Sequence, residues 1–362
     1  MADKVLGFLP DPFLRADGTR VKTKEEWAEH RKYLTELVVG TEYGGMPPKP
    51  EKVEVEQFTC GGPGRINNYR VHIGSFSFCL EVHLPQDIST PRPVILTGDG
   101  CYRNMNDQVI DEINRRGMIA AKFNRVEFAP DMYNNERTTG IYLLYPDRTF
   151  SAIAAWAWGY HRAMDALCTM PFVDQTKVAI TGHSRGGKTA LLAGATDERF
   201  AYVNPNNSGS GGAGCYRYHM QLDELPEGGE DLVSETLADS IRMIPYWFGP
   251  EMPKYTECEE KLPFDQHTLK ALVAPRVLLQ TEGLADTWSN PKGTWQTHMA
   301  AREVWKLVGD PKDIAFRCRP GGHAHEYGAY VTLMDMMQTG LAPEYDPYPE
   351  MELIFDWKAP TE

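Results

Sequence analysis

Residues 182–189 read GHSRGGKT, and two chemistries fit these eight letters. Gly182, Ser184 and Gly186 have the G-x-S-x-G spacing of a nucleophile elbow, a tight strand-to-helix turn that aims a serine hydroxyl at an acyl carbon. Gly182, Gly187, Lys188 and Thr189 have the G-x-x-x-x-G-K-[ST] spacing of a P-loop, whose amides cradle nucleotide phosphates. Both need a buried strand before and a helix after. The segment KVAIT (177–181) supplies the first and an Ala/Leu-rich run over 187–197 the second, so local context does not separate them.

Partners further along the chain do. A P-loop enzyme needs an aspartate at a strand end to help hold Mg²⁺. The strands after the motif run into VNPNN, LLQTEG and FRCRPG, and none ends cleanly in Asp. An elbow serine needs an acid after a later strand and a histidine after the next, in the order Ser, Asp/Glu, His. RVLLQTEGLADTW places Asp286 after one strand, and IAFRCRPGGHAHEYG places His323 after the following one. His323 would take the proton of Ser184 and later return it to the leaving alcohol. Asp286 would fix the imidazole tautomer and stabilise its charged form. The backbone N–H of Arg185, at a helix start, would contribute to an oxyanion hole. Glu282 competes with Asp286 for the acid, and His325 with His323 for the base. His323, His325 and Glu326 lack a third well-spaced ligand, so no metal site is expected, and no cofactor is implied. GSGGAG (209–214) matches G-x-G-x-x-G but opens onto CYRYH rather than a helix. It reads as a loop lining the site.

The elements that must position these residues alternate. TKEEWAEHRKYLTELVVG reads as a helix from its Thr start to its Gly stop. Segments 52–59 and 69–84 read as antiparallel strands. Short apolar runs at 93–97, 118–123, 177–181, 200–204, 276–281 and 314–318 then interleave with helical segments near 106–116, 149–169, 187–197, 265–272, 293–307 and 329–339. Buried parallel strands with crossover helices give this rhythm. The expected fold class is α/β, a mostly parallel central sheet flanked by helices in three layers. The expected organisation is an N-terminal helical extension (1–50) packing on one domain (51–362), with a loop-rich insertion at about 205–260 over the carboxyl edge of the sheet.

Composition narrows the class. The chain has 362 residues and a net charge of -13, with no basic run. This disfavours nucleic acid and polyphosphate partners. No stretch of about 18 apolar residues exists to span a membrane. The N-terminus MADKVLGFLPDPF lacks an apolar leader core. As written the chain would be cytoplasmic; if a leader has been removed it would be periplasmic or secreted. Seven cysteines without C-x-x-C suggest neither a disulfide framework nor a thiolate zinc site.

At this level the residues resemble a known family. GHSRGGKTALLAGATDERFAYVNPNNSGSGGAGCYRY, SAIAAWAWGYHRAMDAL and FDQHTLKALVAPRVLLQTEGLADTWSNPKG are similar to segments of the glucuronoyl esterases, carbohydrate esterase family 15, and LPDPFLRADGTRVKTKEEW resembles the mature start of bacterial members. The resemblance implies an α/β-hydrolase fold and cleavage of (4-O-methyl)glucuronoyl esters that join xylan side chains to lignin alcohols. It implies Ser184 as nucleophile, His323 as base, an oxyanion role for the Arg185 side chain, Lys188 hydrogen-bonded to sugar hydroxyls and Trp288 packed on the sugar. Read from the residues alone, Lys188 is a helix-surface charge.

Two positions depart from the fungal pattern. Asn207 stands where fungal members carry the triad glutamate, so the acid must come from elsewhere, which favours Asp286. His183 and Ala324 stand where fungal members carry a disulfide. The expected protein is a monomeric serine esterase acting on a uronic-acid-containing polysaccharide or oligosaccharide ester. Arg185, Lys188, Trp288, Tyr216 and Trp247 would line its open site. A pectin-type methylesterase, a polysaccharide O-acetyl esterase, a P-loop NTPase and a non-catalytic binding protein of the same fold are the alternatives.

Overall fold

The β-rich stretch ahead of the parallel strands folds back on itself. In the computed structural model, which describes residues 3–61, 65–133, 136–221, 234–340 and 346–360, Gly74 takes φ 57° and turns 69–84 into a hairpin. The strands are β1 (Lys4–Val5), β2 (Glu54–Thr59), β3 (Ile66–Ile73), β4 (Phe76–His83), β5 (Arg92–Thr97), β6 (Ile119–Phe123), β7 (Val173–His183), β8 (Tyr202–Asn206), β9 (Tyr218–His219), β10 (Val277–Gly283) and β11 (Ile314–Arg319). The helices are α1 (Lys24–Tyr43), α2 (Asp107–Arg115), α3 (Ala152–Leu167), α4 (Arg185–Thr196), α5 (Leu237–Met243), α6 (Gln266–Ala271), α7 (Pro291–Val308) and α8 (Tyr327–Thr339).

One nine-stranded sheet runs β11-β10-β8-β7-β5-β6-β4-β3-β2. The pairs from β11 through to β6 are parallel, and β4, β3 and β2 extend the sheet antiparallel. The parallel strands are apolar on both sides because helices cover both faces. Leu279, Ala179, Ile95 and Ala120 pack against α2 and α8; Val203, Ile180 and Leu96 face α3 and α4. This is the three-layer α/β-hydrolase arrangement. Trp27, Leu34 and Val38 of α1 join the same apolar core as α3 and α4. That helix begins at Thr23, whose hydroxyl accepts the Glu26 N–H, and ends at a left-handed Gly44.

Two features matter for the site. Helix α3 is buried almost all round. Its Tyr160 hydroxyl donates to Thr181 O at 2.9 Å and accepts from Gly98 N at 2.7 Å, tying the ends of β5 and β7 together. In VNPNN, the Asn204 amide donates to Leu279 O at 2.7 Å and accepts from Thr181 Oγ1 at 2.8 Å, so β7, β8 and β10 are cross-linked below the site. The segment expected as a loop-rich insertion contains β9 and α5, and its residues 222–233 lie outside the described ones. No described helix is long and apolar enough to cross a membrane.

Candidate active site

Strand β7 and helix α4 leave Ser184 alone between them. Its φ of 56° and ψ of -122° lie in a region that non-glycine residues rarely occupy. The strain is held by Ser184 N donating to Asn206 O at 2.9 Å and Lys188 N donating to Ser184 O at 3.0 Å. The flanking glycines are steric necessities. A Cβ on Gly182 would stand 2.3 Å from Gly186 O, and one on Gly186 would stand 2.2 Å from Asp99 Oδ1. The helix starts at Arg185, two residues before the expected 187. The first amides of α4, which have no intrahelical partner, therefore begin next to the serine.

The loops after β10 and β11 bring the other two predicted residues together, with the His323 ring centroid 4.4 Å from that of His183, the residue before Ser184. His323 Nδ1 donates to Asp286 Oδ2 at 2.7 Å, leaving Nε2 as the proton acceptor. The Asp286 carboxylate also accepts from Asn207 Nδ2 at 2.6 Å and from Ser289 N at 3.4 Å. Burial pushes its pKa up, but the His323, Ser289 and Asn207 bonds outweigh it and hold the carboxyl below its usual range. Asn207 thus donates to the Asp286 carboxylate. Glu282 is 1% exposed, and neither of its carboxylate oxygens has a hydrogen-bond partner among the described residues. Burial, reinforced by Asp286, raises its pKa well above the carboxylate range. His325 stacks on Tyr330 with ring centroids 4.1 Å apart. The structure therefore brings Asp286 and His323 together, not Glu282 or His325.

Arg185 is anchored by residues the sequence reading missed. Its Nη1 donates to both Asp131 oxygens at 3.1 and 3.0 Å, and Tyr246 donates to Asp131 Oδ1 at 2.9 Å. Asp131 lies 3.5 Å from Arg125 Nη1. Arg125, fully buried against Trp156, donates through Nε to Asp99 Oδ1 at 2.9 Å. The second oxygen of Asp99 accepts the His183 N–H at 2.8 Å. A buried line of alternating charges thus joins the elbow backbone to the Arg185 side chain. Burial works against the Arg125 charge, but Asp99 and Asp131 outweigh it and raise its pKa. Asp99 had one signal, its place between two glycines at the end of β5; Asp131 had none.

Lys188 is not a helix-surface charge. It is 4% exposed, and its ammonium donates to Ser208 O at 2.6 Å and to Ser210 O, with Glu235 at 3.7 Å. Burial lowers its pKa, against the pull of Glu235. Trp247 lies beneath both cations, its ring 5.0 Å from the Arg185 guanidinium carbon and 5.2 Å from Lys188 Nζ. Trp288 is 45% exposed beside Ser289. Tyr216, expected at the rim, is fully buried, and its hydroxyl donates to Glu42 of α1 at 2.8 Å. A core carboxylate claims the phenol that the aromatic letter alone suggested for the surface.

The family model for fungal glucuronyl esterases matches residues 69–309. The chain belongs to the glucuronyl esterase family. Among its relatives, 4-O-methyl-glucuronoyl methylesterase 1 of Wolfiporia cocos is 32% identical over 333 residues, covering 88% of this chain and 76% of that protein. The glucuronoyl esterase of Caldicellulosiruptor kristjansonii, a member of carbohydrate esterase family 15, superposes with a TM-score of 0.81 at 31% identity, over 96% of this chain and 97% of that one. A mutant glucuronoyl esterase of Sporotrichum thermophile in complex with methyl 4-O-methyl-beta-D-glucopyranuronate superposes with a TM-score of 0.75 at 25% identity, over 94% of this chain and 90% of that one. The family match spans the elbow and the Asp286 loop; His323 lies beyond it.

Proposed function

We propose that this glucuronyl esterase hydrolyses the carboxyl ester of a 4-O-methylglucuronic acid borne on a polysaccharide or oligosaccharide, through an acyl-enzyme at Ser184. The observation that carries the reading is the 2.7 Å bond from His323 to Asp286 beside a strained elbow serine. Ser184 Oγ attacks the ester carbon as its proton passes to His323 Nε2. The tetrahedral oxyanion meets the Arg185 backbone N–H and the guanidinium that Asp131 holds in place. Collapse expels the alcohol, which takes its proton from His323. Water then repeats the sequence and releases the uronic acid. Asp286 stays ionised throughout, consistent with its lowered pKa.

Substrate selection follows from what surrounds the elbow. Arg185 and Lys188 place two cations in an acidic protein, suited to an electron-rich uronyl group. Two of the Lys188 donors are spent on Ser208 O and Ser210 O, and a sugar hydroxyl would share the third with the Glu235 carboxylate 3.7 Å away. Trp288 presents an exposed ring for a sugar face. Purified protein should release alcohol from benzyl and methyl glucuronate, and Ser184→Ala should reduce that rate to background. Retention of activity in Ser184→Ala would overturn the nucleophile. Faster turnover of methyl galacturonate or of acetylated xylan than of methyl glucuronate would overturn the substrate.

A further inference from the structure

A second imidazole is built into the site beside the base. The ring of His183, the last residue of β7, has its centroid 4.4 Å from that of His323, with the planes 45° apart. His325 lies 6.0 Å from His183 and stacks on Tyr330 of α8. The hydrogen bonds fix which ring nitrogen of His183 carries a proton. Asn206 Nδ2 donates to Thr281 O at 3.1 Å and to Thr281 Oγ1 at 2.9 Å. A carbonyl can only accept, so the amide orientation is set and Asn206 Oδ1 faces His183. His183 Nδ1 is 2.7 Å from that oxygen and must carry the proton. The neutral ring is therefore the Nδ1–H tautomer.

The two carboxylates near His183 pull toward its charged form, but neither bonds to its ring. Asp99, in the loop after β5, is occupied by the His183 backbone N–H and by Arg125. Asp286, after β10, is turned to His323. The segment from β11 to α8 contributes His323, His325 and the Arg319 guanidinium, and α8 contributes the neutral Tyr330. Burial lowers the His183 pKa and His323 lowers it further, outweighing the bond to Asn206 and the pull of Asp99 and Asp286. When His323 takes the serine proton, a neutral aromatic neighbour at this distance accommodates the new cation, whereas a charged one repels it.

We propose that His183 is a positioning residue for the base: Nδ1-protonated against Asn206 and neutral in its buried setting, it fixes the ring of His323 through the catalytic cycle, and its own protonation shuts the site down in acid. The inference rests on the reading of Ser184 and His323 as nucleophile and base. It requires two protonations on the acid side of the kcat/KM profile, so the limb steepens beyond a slope of one.

The test compares wild type, His183→Ala and His183→Phe on methyl glucuronate from about pH 4 to 9. Nitrogen-15 NMR of the ring nitrogens of Ser184→Ala reads the tautomer directly. His183→Ala should lose about 10- to 100-fold in kcat with KM within about twofold. His183→Phe, which keeps a ring, should recover most of that loss. Both should show an acid limb of slope one. The NMR should show His183 neutral with its proton on Nδ1 at pH 7. A wild-type profile in both variants, or an Nε2–H or charged His183 at pH 7, overturns the proposal. If His183→Ala fails to fold, the His183→Phe profile and the tautomer still decide. Activity in Ser184→Ala would instead remove the nucleophile reading, whatever His183 does.

Discussion

Asp286 accepts three hydrogen bonds, from His323, Asn207 and Ser289, and these keep it ionised in a buried place. Glu282, four residues earlier, is buried without a hydrogen-bond donor among the described residues and is driven toward its neutral form. Their expected behaviour on substitution therefore differs. Asp286→Asn should lower kcat by about 10³- to 10⁴-fold, because the amide no longer fixes the His323 tautomer. Glu282→Gln mimics a carboxyl that is already protonated and should stay within about fivefold. Steady-state kinetics on methyl glucuronate at neutral pH separates them, and comparable losses would reverse the assignment. Truncating Arg185 to Ala should cost about 10²- to 10³-fold in kcat if the guanidinium meets the oxyanion. An effect confined to KM would place that side chain on the ground-state substrate instead.

At the scale of elements, the site depends on the alignment of strand ends. The elbow at the end of β7, the Asp99 loop after β5 and the segment carrying Asp131 are joined through Arg125, which has no exposed surface. Removing one partner of such an ion leaves an uncompensated buried charge, which costs about 3–5 kcal/mol. Asp99→Asn should therefore lower stability on that scale, as measured by urea unfolding, and should also slow the enzyme through the His183 amide. Asp131→Asn is expected to spare stability more, because Asp99 still pairs Arg125. It should lower kcat about tenfold by loosening Arg185. If both variants melted like wild type, the buried line of charges would carry no structural weight. The alternation of apolar runs and helical periods shows that strands and helices alternate. It does not show that β5 and β7 are neighbours, which the Tyr160 hydroxyl bonds secure.

For the whole molecule, helix α1 is coupled to the layer beneath the site through Glu42. That carboxyl is fully buried, accepts from Tyr216 and Gln266, and is pushed up to about 7 by burial. Its folded pKa exceeds the unfolded value of about 4.5, so the folded state binds the proton more tightly. The stability contribution is complete below about pH 4.5 and is lost as pH rises through about 7. The swing is up to about 3 kcal/mol at 1.36 kcal/mol per unit. Glu42→Gln should abolish that dependence and melt higher than wild type above pH 7. A parallel pH dependence of Tm in the two proteins would show that Glu42 does not titrate in this window.

Ser184, His323, Asp286 and the order of the strands that carry them were legible in the sequence, because each needs only a local signal. Two glycines around a serine mark a turn that no larger residue fits, and the acid and base each follow an apolar run. The α/β class was legible for the same reason: periodicity is a property of consecutive residues. What the sequence left open turned on contacts between residues far apart in the chain. Asp286 rather than Glu282 meets His323 because Glu282 is still within β10 with its carboxylate buried, whereas Asp286 lies in the loop beyond that strand. Lys188 is buried because the Ser208–Ser210 carbonyls close over it, and Asp131 reaches Arg185 across 54 positions. Tyr216 belongs to the core because Glu42 lies opposite it. Charge and polarity are written residue by residue, but which partner satisfies a buried polar group is set by packing, and only the tertiary structure brings those partners together.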